Sequence, residues 1–141
     1  MENIVKILTS VLGSAITYMV GGWSALLGTL LTFVVIDYVT GVIASASQGK
    51  LSSRIGMVGI AKKVFIFVMV AVAHHVDTTM GQAHFFRDGV IYFYIANELI
   101  SITENGIKMN APIPPGIQKA IAILKEKGGE KNEDGGSSRG A

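Results

Sequence analysis

The sequence predicts an all-α membrane protein: three to four transmembrane helices, then a C-terminal amphipathic helix and a disordered polar tail. Three observations predict it. Half of the residues are hydrophobic and only 16% are charged, where a soluble domain carries about 25% charged residues. Half of the twelve lysines and arginines lie at or after Lys108, which leaves the earlier chain poor in charge. Within that earlier part, the apolar run Leu26–Ile36 continues past a single carboxylate, Asp37, into Tyr38–Ala44.

Ile4–Val20 is the weakest apolar segment. Lys6, Ser10, Gly13, Ser14 and Thr17 share one arc at helical spacing, opposite Ile4, Val5, Leu8, Val11, Leu12 and Ile16. Two readings fit: an amphipathic helix lying in the interface, or a span whose small-residue face admits a neighbour. The span is preferred. Its helix is about 25 Å long, slightly short of a hydrocarbon core of about 30 Å. Gly21-Gly22 turns the chain, and Trp23 sits where interfacial aromatics gather. The opening residues lack the features of a cleaved signal peptide, since one lysine faces Glu2 and no small-residue cleavage site follows.

Ser24–Ser45 is the strongest segment, long enough to cross a core that needs about 20 helical residues. Gly41, Ala44 and Ser45 suit close helix contact. A basic loop follows, Gly49-Lys-Leu-Ser-Ser-Arg-Ile-Gly56, leading to Lys62-Lys63. Its glycines lack the spacing of a phosphate loop, so it reads as a flexible turn held near anionic headgroups by its cations. Lys50, Arg54, Lys62 and Lys63 mark this side as cytoplasmic.

The third segment runs from about Val64 to Met80, and the fourth from about Gly89 to Asn105. The link between them carries one cation, Arg87, paired by sequence with Asp88, which suits the outer face. Pro112-Ile-Pro-Pro115-Gly116 stops any helix. Ile117, Ala120, Ile121 and Leu124 then recur at helical spacing among lysines, as in a short basic helix resting on a leaflet. Residues 1–127 thus form one membrane domain, and 128–141 a polar tail whose composition cannot build a core. Both cation-rich stretches belong on the cytoplasmic side, which places the C-terminus inside. Four spans put the N-terminus inside as well, and three put it outside.

Asp37 lies about 13 Å deep by helix rise, Glu98 lies at a similar depth, and His74 about one turn deeper. An intramembrane carboxylate costs about 2.5–3.5 kcal/mol on insertion scales, so these groups should face protein or water. Asn97, Glu98, Ser101, Glu104 and Asn105 share about a third of the fourth helix with Tyr94 and Lys108. That stripe reads either as interhelical adhesion or as the lining of an aqueous lesion, with a proton relay as a lesser choice. His74-His75-x-Asp77 lacks the i, i+4 spacing of helical metal ligands, so no metal and no cofactor is expected. No nucleophile–base pairing stands out, and the chain does not read as an enzyme. A net charge of +2 gives no reason to expect nucleic acid. With no cysteine, disulfides and thiolate metal sites are excluded.

Four of these stretches together resemble a phage holin family, the toxin-secretion/phage-lysis holins. They are Asp37-Tyr-Val-Thr-Gly41, the run from Gly49 to Gly56 with Gly59-Ile-Ala-Lys-Lys63, Asn97-Glu-Leu-Ile-Ser101 with Glu104-Asn105, and Ala111-Pro-Ile-Pro114. The resemblance covers roughly residues 24–125. It implies a bacterial cytoplasmic-membrane protein that homo-oligomerises into lesions, through which an endolysin reaches the peptidoglycan without needing direct contact with it. Relatives in clostridia are associated with toxin release. The family offers no catalytic residues to transfer. The alternative reading, from the intramembrane carboxylates, is a small ion- or proton-conducting channel or transporter subunit.

Overall fold

Five helices follow one another in the computed structural model, which describes residues 1–133: α1 (Glu2–Met19), α2 (Ala25–Ser47), α3 (Ser53–Met80), α4 (Phe85–Lys108) and α5 (Pro115–Glu133). Among the described residues there is no strand. The chain is all-helical, as its hydropathy pattern predicts.

Local chemistry sets the helix ends. Ser24 Oγ accepts the Leu27 N–H at 3.1 Å to open α2, and Ser52 Oγ accepts the Ile55 N–H at 3.3 Å to open α3. The first turn of a helix has amides without intrahelical partners, and a short hydroxyl side chain satisfies one of them. The Ser52 cap moves the start of α3 about three turns ahead of the expected Val64. Lysine is a good helix former, so Lys62 and Lys63 interrupt the hydropathy and not the helix. The expected flexible loop shrinks to residues 48–52, and Gly56 and Gly59 are helical. The fourth helix likewise extends beyond the expected Gly89–Asn105 at both ends.

α4 packs along both α2 and α3, which touch each other far less. Each of the three presents a seam with alternating three- and four-residue spacing, as two packed helices require. In α2 the seam includes Leu27, Leu30, Val34, Asp37 and Ala44; in α3, Ile66, Val70, Ala73 and Asp77; in α4, Arg87, Ile91, Glu98 and Asn105. The larger apolar members, Leu27, Leu30, Val34, Ile66, Val70 and Ile91, form the core with Val20.

The distribution is inside-out for a water-soluble protein. Asp37, Asp77, Arg87, Glu98, Thr103 and Asn105 are buried, while Val64, Phe65, Val72, Tyr92 and Phe93 are exposed. Two helices, α2 and α3, are long and apolar enough to cross a membrane. No residue of α1 is buried, and its touch on the rest of the chain is slight, mostly with α3. Its apolar positions Ile4, Val5, Leu8, Val11, Leu12 and Ile16 all stand open. α5 buries Ile121 and pairs Lys125 with Glu104. It continues to Glu133, into the stretch whose composition predicted a tail, and residues 134–141 of that tail lie outside the described residues.

Candidate functional site

Asp37, Lys63, Glu98 and Asn105 meet where α2, α3 and α4 converge. Lys63 Nζ donates to Asp37 Oδ2 and to Glu98 Oε2, forming an ion pair with each. Asn105 Nδ2 donates to Asp37 Oδ1 at 2.9 Å and lies 3.0 Å from Thr40 Oγ1. Both oxygens of Asp37 therefore have donors. The Glu98 side chain is 1% exposed and that of Asp37 7%. Gly41 lies against α4, where a Cβ would meet Asn105 Nδ2 at 3.4 Å, in van der Waals contact.

Removing two carboxylates and an ammonium from water costs several kcal/mol per ion, and mutual attraction offsets this only when geometry and hydrogen bonds are good. Here each charge faces an opposite one and three helices are tied at one point. The arrangement contains no nucleophile set against a base. Its chemistry is adhesion and charge compensation inside an apolar shell.

The other expected positions separate. His74 does not join Asp37 and Glu98; it lies about three turns further along α3 from Lys63. There it stacks on His84 with ring centroids 6.0 Å apart and sits 5.4 Å from His75. Helix rise alone gives the three groups comparable depths, with His74 one turn deeper, only if the third helix begins at its hydropathy edge; α3 begins at Ser53 instead. Asn97 is exposed, Ser101 is half-buried beside the network, and Glu104 pairs with Lys125. Lys50 and Lys62 are exposed near the 48–52 connection with Arg54, whereas Lys63 is a full partner in the site.

A second polar cluster ties the opposite end, and sequence reasoning missed it. Arg87 is not held by Asp88. Its guanidinium is buried and donates to the carbonyls of Gly21 at 3.1 Å and Gly22 at 2.9 Å, and to Ser24 Oγ at 3.2 Å. Asp77 accepts the backbone N–H groups of Phe86 and Arg87, both at 2.8 Å. It thereby caps α4 from a neighbouring helix, since the N-cap residue His84 offers no side-chain cap of its own. The signal for Lys63 and Asp77 was present as periodicity: the buried spacing of Ile66 and Val70 extends back to Lys63 and forward to Asp77.

A sequence model of the bacteriophage holin family matches residues 14–126. The chain belongs to the bacteriophage holin family. It is 34% identical over 107 residues to a probable holin of Bacillus phage phi105, covering 76% of this chain and 79% of that one. It is 46% identical over 130 residues to an uncharacterised protein of Halalkalibacterium halodurans, covering 89% and 96% of the two. An uncharacterised protein of Clostridium perfringens shares 40% identity over 131 residues, covering 90% and 99%. No solved structure matches the chain.

This holin-family match includes both polar clusters in full. With two helices apolar enough to cross a bilayer, it makes the chain a membrane protein, and membership points to a non-enzymatic role.

Proposed function

We propose that this chain is a phage or prophage holin that oligomerises in the bacterial cytoplasmic membrane and opens lesions through which an endolysin escapes. One observation carries the reading: charge is tied together inside the helix bundle while the perimeter is apolar. A membrane is the solvent that rewards such a distribution.

The proposed topology has four spans, with three as runner-up. The α2–α3 connection and the end of α4 share one end of the bundle, since Lys50 and Lys108 line one cavity there. The α1–α2 turn and the start of α4 share the other, since Arg87 reaches Gly21. Lys50, Arg54, Lys62, Lys108, Lys119 and Lys125 gather toward the first end, which supports a cytoplasmic assignment for it and for the C-terminus. Association of copies would bury the apolar face of α1. Asp37 and Glu98, with Asn97, Ser101, Glu104 and Asn105, are the polar groups available to the resting assembly or to the wall of a lesion. His74 belongs to the outer end in this scheme.

The test is inducible expression in a bacterium carrying a folded cytosolic muralytic enzyme, with viability, ion leakage and enzyme escape followed together. Abrupt death with enzyme escape is expected. Selective, pH-dependent ion leakage with the enzyme retained would favour the channel-subunit alternative and overturn the large-lesion reading.

A further inference from the structure

We propose that the cavity between α2, α3 and α4 at the cytoplasmic end is a binding site for the headgroup of one anionic phospholipid. This rests on the topology proposed above. The cavity has a volume of about 620 Å³, within the range of about 300–1,000 Å³ typical of ligand sites. Lys50, Lys62 and Lys108 line it from three different segments: the 48–52 connection, α3 and the end of α4. Among the described residues none of the three has a carboxylate partner.

The carboxylate nearest this cavity does not oppose an anion. Asp37 lines its floor, but Lys63 and Asn105 occupy both of its oxygens. Counting Lys50, Lys62, Lys63 and Lys108 against Asp37 and Glu98 gives four positive and two negative charges, a surplus of two. Gln48 and Ser101 add hydrogen-bonding capacity, and Val42, Leu51 and Ile55 supply an apolar wall. A phosphate bonded to glycerol and acyl chains matches this combination, because its anionic head and apolar body enter together. Basic pockets between spanning helices at the cytoplasmic face are established sites for such headgroups. A soluble anion would use the lysines and leave the apolar wall wet.

The test is native mass spectrometry of the purified full chain in detergent with equimolar phosphatidylglycerol and phosphatidylcholine. Wild type is expected to retain phosphatidylglycerol selectively. The variant K50Q/K62Q/K108Q is expected to lose that retention by at least about ten-fold, given the attraction each lysine contributes near an anionic surface. The charge-matched variant K6Q/R54Q/K119Q, none of whose residues lines the cavity, is expected to retain it. Circular dichroism of both variants checks that the helices remain. Equal losses in the two variants, or equal retention of the two lipids, would overturn the proposal. Labelling of Gln48→Cys in this cysteine-free chain by a membrane-impermeant maleimide, in intact cells before lysis, would overturn the cytoplasmic assignment alone. Lipid retention in detergent would still report on the cavity.

Discussion

Lys63 and Glu98 stand 35 residues apart in the chain and form an ion pair inside the bundle, with the Glu98 side chain 1% exposed. Lys63 holds Asp37 at the same time. Breaking a buried pair by deleting one partner is costly, about 3–5 kcal/mol, because the other charge is left uncompensated. Lys63→Met strands two carboxylates at once. It is expected to lower both membrane accumulation and the unfolding temperature in detergent. The triple variant K63M/D37N/E98Q should recover much of the loss, since no charge remains to be stranded. Failure of that recovery would show that Lys63 acts by packing.

The same network makes a prediction about timing. If the joint at Asp37 and Glu98 participates in assembly or in the lesion wall, Asp37→Ala and Glu98→Ala should each move the onset of lysis after induction. Turbidity records of matched expression levels measure this. Wild-type onset in both variants would remove these residues from the proposed mechanism.

Gly21→Ala should be destabilising for two separable reasons. The residue has φ +79°, and a Cβ would come within 2.3 Å of His74 Nδ1. Left-handed backbone costs a non-glycine residue about 1–3 kcal/mol when the surroundings hold it there. Adding His74→Ala should relieve the collision and leave the backbone cost. Thermal unfolding of the two variants is therefore expected to show partial recovery in the double variant.

Arg87→Lys keeps the charge and loses the fork. One ammonium cannot reproduce the spread of donors that meets Gly21, Gly22 and Ser24. Hydrogen exchange should accelerate through the α1–α2 turn and α1, while amides around Val34, Val70 and Ile91 stay protected. Uniform acceleration across α2, α3 and α4 would instead assign Arg87 to the stability of the whole core.

Much of the fold was legible because hydropathy and helix stops act locally. The Gly21-Gly22 turn and the proline cluster before α5 place boundaries without any tertiary knowledge. Lys63 was misplaced for a physical reason: a positive charge beside a loop satisfies the topology rule and hides that the same residue falls on a buried seam. Arg87 was misread similarly, because its neighbour Asp88 offered a partner in sequence while the real acceptors are backbone carbonyls about sixty-five residues away. Backbone acceptors leave no trace in side-chain identity. Asp37 and Glu98 were found because a carboxylate in an apolar run is conspicuous, although the lysine that joins them was found only by the structure.

The Asp37–Lys63 pair also has a history in synthesis. Its partners are separated by 26 residues, and ribosomes add about 5–20 residues per second. Asp37 therefore leaves the ribosome at least a second before its counter-ion does, at an insertion cost of about 2.5–3.5 kcal/mol for a lone carboxylate. In the proposed topology, the unit that enters the bilayer with its charge matched is a hairpin of α2 and α3. Glu98 arrives later still, to a lysine already in place.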